Sequence, residues 1–104
     1  MERLVKLTLG QFVPLEAKPG KEEEVAAFLA DAAKMTQQET TTPLWFAVRF
    51  GKSAFGIFDA FRDEAGRQAH LNGPIAAALM SQAPNLFTTP PAIEPLEVVG
   101  AKLP

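Results

Sequence analysis

A chain of 104 residues with seven glycines, nine prolines and no cysteine is long enough for one compact domain around a single core. The lack of cysteine excludes a disulfide scaffold, a thiol nucleophile and a thiolate metal site. A net charge of −2, with Lys and Arg scattered along the chain, excludes the clustered basic footprint of a nucleic-acid binder.

The opening MERLVKLTLGQF has no apolar core of signal-peptide length, and no apolar run in the chain approaches a membrane span. A cytoplasmic protein without a membrane partner is expected. Residues 3–13, RLVKLTLGQFV, alternate partly and are rich in Val, Leu and Thr, which reads as a strand. Pro14 closes it or bends it at an edge. From Pro19-Gly20 onward the pattern turns helical. Glu22, Glu23 and Glu24 suit the positive end of the helix dipole, and Val25, Phe28, Leu29 and Ala32 form one apolar stripe. TQQETTTP reads as a polar loop ending at Pro43.

LWFAVRFGKSAFGIFDAF, residues 44–61, gives two β-rich runs around Gly51-Lys52-Ser53-Ala54, a hairpin signal. With Lys52-Ser53 as its tip, Phe50 lies opposite Phe55. Trp45, Ala47 and Arg49 then share a face with Gly56, Phe58 and Ala60, and Leu44, Phe46, Val48, Phe55, Ile57, Asp59 and Phe61 line the other. Both faces come out largely apolar, whereas an antiparallel sheet in a lone small domain usually wets one. A second copy packed sheet to sheet would cover the extra face.

Asp63 caps a further helix over 63–71 that breaks at Asn72-Gly73, and Pro74 opens another helical run, IAAALMSQ. APNLFTTPPA reads as a connector and IEPLEVVGAKL as a last strand. The order β-α-β-β-α-β over residues 1–104 predicts one α+β, ferredoxin-like βαββαβ sandwich with both helices on one sheet face.

His70 is the only histidine. On a helical wheel it stacks over Gly66, near Asp63 and Arg67, beside a face of very small side chains. A mid-helix glycine is unfavourable by about 1 kcal/mol relative to alanine, so Gly66 permits close packing or leaves a space. A space beside an imidazole, lined by Phe and Trp from the sheet, is the sequence pattern of a small-molecule pocket. The competing reading makes His70 a helix-terminal residue that bonds free carbonyls and favours the dipole. Neither a second histidine nor a spaced carboxylate cluster accompanies His70, so no metal site is expected. Trp45 reads as core filling or an interface anchor. Asp59, mid-strand among aromatics, needs a partner, either His70 or an arginine such as Arg49 or Arg62.

The stretch FGIFDAFRDEAGRQAHLNGPIAAAL, following the WFAVRF strand, resembles the antibiotic biosynthesis monooxygenase (ABM) family. The likeness is most specific over 55–79, in the F-D-x-F…E-A…A-H-L run. The resemblance implies a dimeric α/β barrel and a cofactor-independent monooxygenase or quinol oxidase acting on a small aromatic with O2. It places His70 as the base or substrate hydrogen-bonder and Trp45, Phe58 and Asn72 as substrate-binding residues, and Asp59, from its place in the strand, is counted with them. No cofactor is implied. Haem-degrading relatives carry a histidine further along the second helix, where this chain reads AAALMSQ with Met80 near the place, and the substrate-holding tyrosines of some members have no counterpart in a chain without Tyr. The alternative function is a non-catalytic small-molecule-binding or stress-associated dimeric barrel.

Overall fold

The computed structural model describes residues 6–104. Its elements, in chain order, are β1 (Leu9–Glu16), α1 (Glu22–Met35), a 3-10 turn (Thr36–Gln38), β2 (Leu44–Arg49), β3 (Ala54–Phe61), α2 (Glu64–Leu71), α3 (Pro74–Leu86) and β4 (Glu94–Glu97). The four strands form one antiparallel sheet in the order β2-β3-β1-β4. This is the ferredoxin-like α+β arrangement, with the second helix split in two.

Alternation of side chains across each strand decides what the helices cover. Val13 and Leu15 of β1 and Phe55 and Ile57 of β3 join Val25 and Leu29 of α1 and Leu79, Ala83 and Leu86 of α3 in one buried core. Of the apolar stripe expected on α1, Val25, Leu29 and Ala32 are buried and Phe28 packs partly against the core.

Three element boundaries differ from the sequence reading. The first strand was expected over 3–13; residues 3–5 lie outside the described residues, and β1 continues through Pro14 to Glu16. Ala17 N–H donates to Ser53 O, so by alternation the odd-numbered residues of this strand bond toward β3. Pro14 therefore points its missing donor toward β4, which pairs only with Leu9–Phe12, and no ladder bond is lost. α3 runs to Leu86 with Pro84 inside it, past the expected end at Gln82. The last strand shortens to four residues, although Val98 N–H still donates to Thr8 O at 3.0 Å.

The hairpin register is the consequential correction. Phe50 N–H donates to Ala54 O at 2.8 Å, closing a three-residue loop, Gly51–Ser53, rather than a two-residue tip. Arg49 holds that loop: its Nε donates to Gly51 O at 3.1 Å and its NH2 to Lys52 O at 2.9 Å. Trp45 consequently pairs with Asp59, Ala47 with Ile57 and Arg49 with Phe55. A slip of one residue exchanges faces, so Trp45 and Asp59 share the helix-covered face. Phe58 pairs with Phe46 and Phe12 on the opposite one.

Candidate functional site

The helix-covered face carries a polar row in its middle. Gln11 of β1 and Trp45 of β2 are both direct cross-strand partners of Asp59 on β3, so three polar side chains stand side by side across three strands. Gln11 is 2% exposed and Asp59 1%. A carboxylate this deep requires a counter-charge, and α2 delivers one. Asp63 caps that helix, accepting from Gly66 N–H at 2.9 Å, and the last turn brings in His70, 5% exposed.

The imidazole sits between two carboxylates. Nε2 lies 3.2 Å from Asp59 Oδ2 and Nδ1 lies 2.7 Å from Glu39 Oε1. Thr42 Oγ1 donates to the same Glu39 oxygen at 2.8 Å, and the Phe61 ring packs 5.6 Å from the imidazole, tilted by 43°. The Asp59 contact is one of charge rather than an aligned hydrogen bond, because neither Asp59 oxygen has a hydrogen-bond partner among the described residues. Burial works against the charged imidazolium, while Asp59 and Glu39 work for it. The carboxylates prevail and hold the His70 pKa above its ordinary value. Asp59 thus takes the histidine of the two partners expected for it, and Arg49 instead bonds Glu23 at 2.9 Å and stacks 4.8 Å from the Phe55 ring centroid.

Gly66 belongs to this arrangement. A Cβ there would stand 3.0 Å from the Thr41 carbonyl oxygen, so the missing side chain lets the loop of residues 39–43 lie against α2. That loop supplies Glu39 and Thr42, which sequence reasoning missed, as it missed Gln11.

Gln11, Trp45, Asp59 and His70 line one small cavity of about 30 Å³, closed by Leu71, Ile75, Leu79 and Ile93. Gln11 Oε1, Trp45 Nε1 and both Asp59 oxygens are buried around it without hydrogen-bond partners among the described residues. Of the residues expected at the site, His70, Trp45 and Asp59 come together here. Phe58 does not, since the register turns it to the open sheet face, and Asn72 does not, since it is an exposed residue ending α2. On its other side Trp45 walls an apolar groove of about 350 Å³ between α1 and β2. Among the described residues the only charged side chain in that groove is Arg49, already bonded to Glu23. Among the described residues no group of three or more His, Cys, Asp or Glu side chains is placed to hold a metal ion, and no helix is long and apolar enough to cross a membrane.

No family model and no curated protein matches the chain, but solved structures do. A provisionally named antibiotic biosynthesis monooxygenase from Nitrosomonas europaea is similar at a TM-score of 0.79 and 10% identity, over 94% of this chain and 96% of that one. Another from Caulobacter crescentus is similar at 0.77 and 16%, over 91% and 92%. At these identities the likeness is one of fold, and the fold is the one that the resemblance over residues 55–79 implied. A nearer relative is the NE2512 protein of unknown function from Nitrosomonas europaea, 58% identical with a TM-score of 0.91, over 94% of this chain and 95% of that one. The chain belongs to the family of NE2512.

Proposed function

We propose that this protein is a homodimeric, cytoplasmic, cofactor-independent monooxygenase or quinol oxidase that acts on a small, electron-rich aromatic. The observation that carries the reading is Asp59, a carboxylate 1% exposed whose oxygens have no hydrogen-bond partner among the described residues, facing an apolar-walled cavity beside Trp45 with His70 behind it. Buried, charge-coupled groups in a cavity are a mark of reactive sites. The fold shared with provisionally named antibiotic biosynthesis monooxygenases adds to it.

In this reading the substrate hydroxyl donates to Asp59, which takes its proton. The His70 imidazolium, set between carboxylates, stabilises the charge that the transfer moves. His70 is therefore a positioning group, and the base role expected of it passes to Asp59. The deprotonated arene supplies the electrons. A quinol gives up two electrons and two protons while O2 becomes H2O2. In monooxygenation a CH2 carbon takes one oxygen atom and the other leaves as water with the two hydrogens. The apolar shell of Leu71, Ile75 and Leu79 keeps bulk water from the reacting oxygen.

Oxygen consumption against a panel of quinols, anthrones and catechols tests the proposal. Asp59→Asn, with its fold checked by circular dichroism, is expected to lower kcat by about 10²–10⁴-fold. Unchanged turnover in that variant removes Asp59 from the chemistry. No uptake on any compound, with binding retained, assigns the protein to the non-catalytic binding barrels.

A further inference from the structure

The cavity at Asp59 has a hydrogen-bonding pattern as well as a position. Three residues that line it carry buried polar atoms with no hydrogen-bond partner among the described residues: acceptors on Asp59 and Gln11 (Oε1) and a donor on Trp45 (Nε1–H). All three side chains come from one row of directly paired strand residues with Asp59 in the centre. A matching ligand must donate twice and accept once within the width of that row. At about 30 Å³ the cavity has room for about two water-sized groups and none for a ring.

We propose that the cavity receives the adjacent hydroxyl pair of a 1,2-dihydroxyarene. One hydroxyl donates to Asp59 and accepts from Trp45 Nε1–H, while its neighbour donates to Gln11. The ring lies outward at Ile93, which is 41% exposed on the segment leading into β4. The geometry selects the ortho arrangement because the acceptors are neighbours in one row. A para-quinol would reach the row with one oxygen and carry the other away on the far side of its ring. The apolar Ile93 side chain, at which the ring lies, favours an aromatic over a sugar diol. Gln11 is then the specificity-determining residue. A site built to bond a hydroxyl discriminates against an analogue that lacks it, because its own buried acceptor is left unpaired.

This inference deepens the proposed function and rests on the same cavity, but its test needs no turnover. Anaerobic calorimetric titration compares catechol with 2-methoxyphenol, hydroquinone and cis-1,2-cyclohexanediol. Catechol is expected to bind at least about tenfold more tightly than each of the three, since one hydrogen bond to a charged or buried group is worth about that factor. Gln11→Leu is expected to abolish the preference of catechol over 2-methoxyphenol while 2-methoxyphenol still binds. Gln11→Asn, which keeps an uncharged amide acceptor on a shorter arm, is expected to retain part of that preference. Equal affinity for catechol and hydroquinone, tighter binding of the alicyclic diol, or a preference that survives Gln11→Leu each overturns the assignment. Catechol preference without oxygen uptake would sink the oxidase reading and keep this one. Uptake without ortho preference would do the reverse.

Discussion

The two faces of the sheet are made by the same strands and differ in kind. On the helix-covered face, Gln11, Trp45 and Asp59 interrupt an apolar core with polar atoms that have no hydrogen-bond partner among the described residues. On the open face, Phe46 is 56% and Phe50 69% exposed, and Phe50 meets Phe12 edge to face with ring centroids 6.3 Å apart. Gly56 lies beneath Phe12, where a Cβ would come within 2.6 Å of the ring. Polar groups are thus buried on one side and aromatic rings exposed on the other, the reverse of what stability alone favours. The proposed ligand site draws on the inner face, and the proposed dimer on the outer one.

The largest expected effect lies on the inner face. His70→Ala removes the one cation between Asp59 and Glu39. Breaking a buried pair by deleting one partner leaves an uncompensated charge, at a loss of about 3–5 kcal/mol. Urea unfolding near neutral pH measures it. A loss under about 1 kcal/mol would mean that the carboxylates do not depend on the imidazole, and the contrast between the faces would weaken.

The open face should answer differently. The double variant Phe46→Ser, Phe50→Ser removes exposed rings, so circular dichroism should show the protomer fold kept, with a change in protomer stability within about 1 kcal/mol. Sedimentation is the informative measurement: the wild-type chain is expected to run as a dimer and the variant as a monomer. A wild-type monomer would break the reading of this face as a self-association surface.

How much of this was legible in sequence depends on what each feature rests on. The βαββαβ order followed from periodicity and from Gly and Pro positions, because those report backbone preference directly. The hairpin faces did not, because the loop has three residues rather than two, and that choice rests on Arg49 binding the Gly51 and Lys52 carbonyls. The one-residue difference moved Phe58 out of the site and set Trp45 beside Asp59. Glu39 and Thr42 sit in a segment with no periodicity, indistinguishable from a solvated loop until Gly66 lets it pack against α2. Gln11 left a usable trace: it is the polar member of the inward series Gln11, Val13, Leu15, visible once β1 is taken through Pro14 to Glu16.

The smallest expected effect is also the most selective for the inner face. The folded state holds the His70 proton more tightly than the unfolded chain, whose imidazole titrates near 6.5. Stability from the pairing is therefore complete below that value and is lost as pH rises through the higher folded-state pKa. Urea midpoints measured from about pH 5.5 to about pH 9 should fall as the pH increases. The exposed carboxylates Glu23 and Glu64 are shifted below 4.5 and do not titrate in that window. His70→Gln should flatten the slope, while Phe46→Ser, Phe50→Ser should leave it intact, since no histidine lies on the open face. A wild-type midpoint that stays level or rises would mean that His70 is not held charged between Asp59 and Glu39. Asp59 would then stand in the polar row without a cation behind it.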